Sequence, residues 1–132
     1  MRRLVLDTTF LIDAQRATID LDEVISDDDD VAIAAVTVAE MRVGVELAKG
    51  KTRTSREALL DEVLVEIPVL DYTIDVAQSH AALLVEVRRQ GRPRGAHDLI
   101  IAATALSTAR IVVSADRSAF EGLPGVAVLN YR

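Results

Sequence analysis

An α/β protein built on a parallel sheet is the fold class this sequence predicts, and three observations predict it. Apolar runs of strand length at residues 4–6, 31–36, 67–70, 111–113 and 126–129 alternate with longer stretches of helical periodicity. The run Val31-Ala-Ile-Ala-Ala-Val36 is apolar at every position, as a strand covered by helices on both faces must be. With 132 residues, 50% of them hydrophobic, the chain can bury one core, so a single domain over residues 1–132 is expected.

Taken in order, the first strand ends at Asp7, and helices are predicted over 9–16 and 20–26. The four aspartates at 27–30 lead into the second strand and read as a solvated loop, because four consecutive side chains cannot easily converge on one ion. Helices over 38–48 and 55–65 precede the third strand, where Pro68 cannot donate to a ladder and marks a sheet edge. Asp71, just beyond it, reads as a helix cap. A long helix over 73–90, a Gly- and Pro-containing turn at 91–95 and a helix over 97–108 bring the chain to its last two strands.

Composition excludes several function classes. The chain has no cysteine, which removes disulfide frameworks, thiolate zinc sites and cysteine nucleophiles, and fits a reducing compartment. No apolar run approaches the ~18 residues of a membrane span, so a soluble, cytoplasmic protein with no membrane partner is expected. A net charge of -6 argues against coating nucleic acid by overall field, yet a cluster of cation-binding carboxylates would itself make a chain acidic. Only Lys49 and Lys51 are lysines, and four aromatics, Phe10, Tyr72, Phe120 and Tyr131, are too few for a base-stacking surface.

Asp7 follows the first strand directly, Glu40 lies four residues beyond the second, and Asp116 comes soon after the fourth. Parallel strands end on one edge of their sheet, and open α/β sheets bind ligands in the crevice outside that edge. Asp98 joins the group if its helix starts there. Each acid alone has a structural explanation: Asp7 and Asp98 suit helix N-termini, and Thr37-Val-Ala-Glu40 matches a capping box. Capping does not explain why all four fall at one edge. Crowded carboxylates repel, and a divalent cation relieves them; an all-oxygen site favours Mg2+, with Mn2+ as the alternative. Metal-assisted phosphodiester hydrolysis is the chemistry such a site suggests.

In order and spacing, Leu6-Asp-Thr-Thr-Phe-Leu-Ile12, Ala39-Glu-Met-Arg-Val-Gly44, His97-Asp-Leu-Ile-Ile-Ala-Ala103 and Ser114-Ala-Asp116 followed by Phe120 resemble the motifs of PIN-domain ribonucleases. The size looks like that of the VapC-type toxins of bacterial toxin-antitoxin pairs. The resemblance implies a PIN-like three-layer sandwich with a five-stranded parallel sheet in order 3-2-1-4-5. It implies that Asp7, Glu40, Asp98 and Asp116 form the catalytic acidic site, with Asp7, Asp98 and Asp116 as metal ligands and Thr8 and Ser114 as supporting hydroxyls. Magnesium-dependent cleavage of RNA, a cognate antitoxin and a homodimer follow from the same resemblance. One position departs from it: many relatives carry a further acid where this chain has Ala119, so one tightly bound ion is expected, with a second recruited by substrate.

Arg88, Arg89, Arg92 and Arg94 form an acid-free basic stretch just before the Asp98 helix and are expected to meet RNA phosphates. Lys49, Lys51, Arg53 and Arg56 make a second basic loop that reads as merely solvated. His97 neighbours Asp98, but a metal site needs no histidine base, and His80 has no partner at ligand spacing. A phosphoacceptor receiver domain would also gather acids at strand ends, but the lysine it needs after the last core strand is absent. The rival from another class is a binding module that keeps the fold and a protein partner while its catalysis is weakened.

Overall fold

The computed structural model describes residues 1–17 and 19–131. Five strands, β1 (Arg3–Leu6), β2 (Asp30–Ala34), β3 (Val69–Leu70), β4 (Ile111–Ser114) and β5 (Val128–Asn130), form one sheet in order β3-β2-β1-β4-β5. Every neighbouring pair is parallel, with Val5 opposite Ala32 on one side and Val112 on the other. The predicted order is the one found, and the Pro68 strand is at an edge.

Alternation along β1 divides the core. Leu4 and Leu6 face one layer with Ile33, Val113, Phe10, Met41 and Val45, while Val5 faces the other with Val112, Ile101, Ala102 and Phe120. Phe10 and Phe120 anchor the two sides, each 1% exposed, and truncating such a residue costs about 3–5 kcal/mol. One face is covered by α1 (Thr8–Gln15), α3 (Ala35–Leu47) and α4 (Gly50–Glu66). The other carries α5 (Ile74–Gln90), α6 (Ala96–Ser107) and the single turn α7 (Arg117–Phe120); a further turn, α2 (Leu21–Val24), lies between α1 and β2.

Four local expectations are corrected. The second strand stops at Ala34 and α3 begins at once, so Thr37 is fully buried inside the helix and caps nothing, and no capping box holds Glu40. Thr73, not Asp71, caps α5: its hydroxyl accepts from the Val76 N–H at 3.2 Å. The aspartates at 27–30 are not all solvated. Asp29 accepts from the Arg2 guanidinium at 2.7 Å and from the Ser26 N–H at 2.9 Å, which hold its carboxyl well below the usual range, and Arg110 bridges Asp30 to the Leu4 carbonyl. The basic residues Lys51, Arg53 and Arg56 sit in the first turns of α4 rather than in a loop.

Among the described residues, no helix is long and apolar enough to cross a membrane.

Candidate active site

All four predicted acids lie at the carboxyl edge of the sheet, each placed there by a short run of local structure. Asp7 leaves β1 in extended conformation, caps α1 by accepting from the Thr8 N–H at 2.8 Å, and is 5% exposed. Its Oδ2 also accepts from Ser114 Oγ at 2.7 Å and Thr9 Oγ1 at 3.1 Å. A carboxylate offers about four lone-pair sites, so three bonds fix the group and leave room for one more partner on Oδ1. Capping and site duty coincide in one side chain.

Ser114 joins two of the acids: the hydroxyl that donates to Asp7 accepts from the Asp116 N–H at 3.0 Å. Asp116 in turn caps α7, its Oδ1 taking bonds from Ser118 Oγ at 2.7 Å and Ala119 N at 3.3 Å, so Oδ2 stays uncommitted among the described residues. Ala119 is buried on that turn and brings no carboxylate. Glu40, on the second turn of α3, receives Thr8 Oγ1 at 3.4 Å on one oxygen and has His97 Nδ1 at 3.7 Å from the other.

Asp98 lies in the first turn of α6, where the charges of the other three acids act on it. Burial, then the charges of Asp7, Glu40 and Asp116, push its carboxyl up to about 6, with His97 opposing. Burial, reinforced by Asp7 and opposed by His97 and Thr8, raises Glu40 as well. Among the described residues no three such groups are already closed into a metal cage. The donor set nonetheless fits a hard divalent cation: it is all oxygen, mutually repelling, and braced by Thr8, Thr9 and Ser114, and magnesium uses few carboxylates and keeps several waters.

Gly95 bears on the acidic cluster in a way that sequence reading missed. A Cβ built there falls 2.7 Å from Asp98 Oδ2, while the backbone at φ -59° would accept alanine without strain. Alanine at Gly95 would therefore push the Asp98 carboxylate aside. On the metal-dependent RNA cleavage that the sequence resemblance implies, Gly95→Ala should fold like the parent and lose at least tenfold at low divalent-metal concentration, with recovery at high concentration; unchanged activity at low metal would show that the displaced carboxylate is not needed.

The four arginines do not line up as one strip. Arg92 donates to the carbonyls of Ser118 at 2.9 Å and Glu121 at 3.2 Å, and Arg94 to Glu121 and to Arg92 at 2.7 Å, so this pair ties the approach to α6 to the end of α7, that is, Asp98 to Asp116. Arg89 pairs loosely with Glu86 at 3.8 Å, and Arg88 is exposed. Nothing in the sequence distinguished a clamp on backbone carbonyls from a surface aimed at phosphate.

An acid-lined crevice at the carboxyl edge of a sheet ordered 3-2-1-4-5 agrees with what comparison of the whole chain finds. The PIN domain family model matches residues 4–125. Ribonuclease VapC5 of Mycobacterium tuberculosis is 39% identical over 125 residues, covering 93% of this chain and 89% of that protein. The tRNA(fMet)-specific endonuclease VapC of Shigella flexneri is 32% identical over 96 residues, 73% of this chain and 71% of that protein. Among solved structures, VapBC-5 of M. tuberculosis, a member of the VapBC family of toxin-antitoxin systems, superposes with a TM-score of 0.82 at 34% identity over 98% of this chain and 99% of that one. The chain belongs to the PIN-domain family and, within it, to the VapC-type toxin ribonucleases.

Proposed function

We propose that this protein hydrolyses RNA phosphodiester bonds with Mg2+ held by Asp7, Asp98 and Asp116, and that Glu40 completes the catalytic site. The observation that carries the reading is the coupling of Asp98 to Asp7, Glu40 and Asp116 at one sheet edge. A divalent cation there supplies a Lewis acid that acidifies water and offsets charge on the scissile phosphate. The chain's own groups do the positioning: Thr8, Thr9 and Ser114 orient the carboxylates, and the buried walls around Asp7 keep their field strong. With alanine at position 119, one ion is held tightly and the second site is completed by substrate.

The substrate class is structured RNA such as transfer RNA, met in the cytoplasm by one domain over residues 1–132. Arg88, Arg89, Arg92 and Arg94 offset the repulsion between an acidic crevice and phosphate, with Arg92 and Arg94 also serving as the clamp described above. A small cognate antitoxin lays an apolar segment in the groove between α1, α2 and α4, a cavity of about 550 Å³ lined by Phe10, Leu11, Leu21, Ile25 and Leu59. The protein pairs as a homodimer, for which exposed Val65, Ile74 and Val85 offer apolar surface.

Purified protein should cleave transfer RNA with Mg2+ and not with excess chelator; cleavage that persists in chelator would sink the metal reading. The pH dependence has a defined sign. A raised carboxyl takes up its proton as pH falls toward about 6, and a protonated Asp98 is a poor ligand. Cleavage at limiting Mg2+ should therefore decline below about pH 6 and be restored by more Mg2+. A decline that added Mg2+ does not reverse would place the titrating group elsewhere.

A further inference from the structure

Two clefts of about 420 Å³ each meet at Arg16, the C-cap residue of α1. The first opens on the acidic site, lined by Thr9, Ile12, Asp13, Arg16, Ala115 and Asp116. The second lies across Arg16 toward α4 and is lined by Gln15, Lys51, Thr52, Ser55 and Arg56. From Thr9 to Arg16 is about 10 Å along a helix axis, so the route leaves Asp116 and reaches cations within a short stretch of backbone.

The cations on this route are distinguished by what they do not hold. Arg2, Arg42, Arg53 and Arg110 face carboxylates, and Arg92 and Arg94 keep their charge but are held in place by backbone carbonyls. Arg56 gives one donor to the Gly44 carbonyl at 2.9 Å. Arg16 and Lys51 are exposed and make no ion pair or side-chain hydrogen bond among the described residues. An unpaired cation in a concave surface keeps its full charge for an incoming anion. Of the two acids lining the first cleft, Asp116 belongs to the acidic site itself, and Asp13 is 7% exposed and accepts from Tyr131 OH at 2.7 Å, which turns it away from an approaching phosphate.

We infer that the clefts on either side of Arg16 form a track for the phosphate backbone of single-stranded RNA leaving the acidic site, with Arg16 and Lys51 neutralising successive phosphates. The inference rests on the ribonuclease reading and names the surface its substrate follows. Thr52 and Ser55 add hydroxyl donors, and no aromatic ring lines either cleft, so the track holds backbone and not bases. It assigns a role to the basic residues at the start of α4 that sequence reading treated as solvated.

The test is affinity for a short fluorescein-labelled single-stranded RNA of mixed sequence, measured against salt in Ca2+-free buffer with chelator so that no cleavage intervenes. Arg16→Ala/Lys51→Ala should bind about tenfold more weakly at low salt and flatten the plot of log affinity against log salt by about one to two units. Arg3→Ala/Arg42→Ala, which removes the same charge from the start of β1 and the outer face of α3, should lose clearly less. Lines that coincide for wild type and Arg16→Ala/Lys51→Ala, in a protein that cleaves RNA with Mg2+, overturn the track and leave the ribonuclease reading standing. Equal losses in the two double variants also overturn it, since overall charge would then explain both. A wild type that neither binds nor cleaves RNA overturns the track together with the reading it rests on.

Discussion

Asp98→Asn is expected to abolish RNA cleavage, by about a hundredfold or more, while leaving the protein at least as stable as the parent in chelator at neutral pH. The two effects share one cause. Asn keeps the volume of Asp98 and removes a charge that burial and three neighbouring carboxylates already disfavour. A carboxyl whose folded pKa of about 6 stands above its ordinary 3.8 binds its proton more tightly in the folded state, so its penalty is absent below about pH 4, grows as pH rises, and is complete above about pH 6. The stability gain of Asp98→Asn should follow that course and vanish near pH 4. Asp7→Asn should be just as inactive but less stable, because an amide NH2 would face donors where the Asp7 carboxylate now accepts from Thr8, Thr9 and Ser114. Asp116→Asn should be milder on both counts. Gel assays of RNA cleavage and thermal melts in chelator across pH 4–8 read these outcomes; full activity of Asp98→Asn would end the carboxylate-metal reading.

These opposite stability signs could not have been read from the sequence, although the acids could. The short apolar runs at 4–6 and 111–113 and the uniformly apolar second strand locate the strand ends, and in a parallel sheet those ends alone bring Asp7 and Asp116 to one edge. Glu40 was found for a partly wrong reason. The apolar run through Ala35 and Val36 gives no signal where strand turns into helix, so Thr37 read as a cap although it is buried in α3. Asp71 failed as a cap for a similar reason: Thr73, two residues on, is the better placed of two competent capping side chains. Other features depend on contacts distant in sequence. Arg92 and Glu121 are 29 residues apart, and Arg2 meets Asp29 across 27. Gly95 is invisible in another way, since its role is the absence of an atom where Asp98 needs room.

Ala58→Arg should cost the proposed antitoxin about a hundredfold or more in affinity, about 3 kcal/mol, while the free protein cleaves RNA as before. Ala58 is exposed on α4 and lines the apolar groove between α1, α2 and α4, so arginine there disturbs no core residue but drives a guanidinium into the space an apolar segment must fill. Removing that cation from water without a partner is the source of the loss. The groove also explains how occupancy could silence a distant site. Gln15 and Ser55 line both the apolar groove and the basic cleft, and Gln15 Nε2 donates to Ser55 Oγ at 3.3 Å, so the two surfaces share a rim. A segment that crosses this rim reaches Arg16 and then the acidic crevice, where a basic residue at its end would meet Asp116 and Asp98. Binding in the groove would thus exclude RNA from the track without altering the carboxylates themselves. Co-expression with the neighbouring small open reading frame should relieve growth arrest by the parent and not by Ala58→Arg, and calorimetric titration of the purified pair should show the lost affinity directly. Undiminished binding to Ala58→Arg would move the partner off this groove.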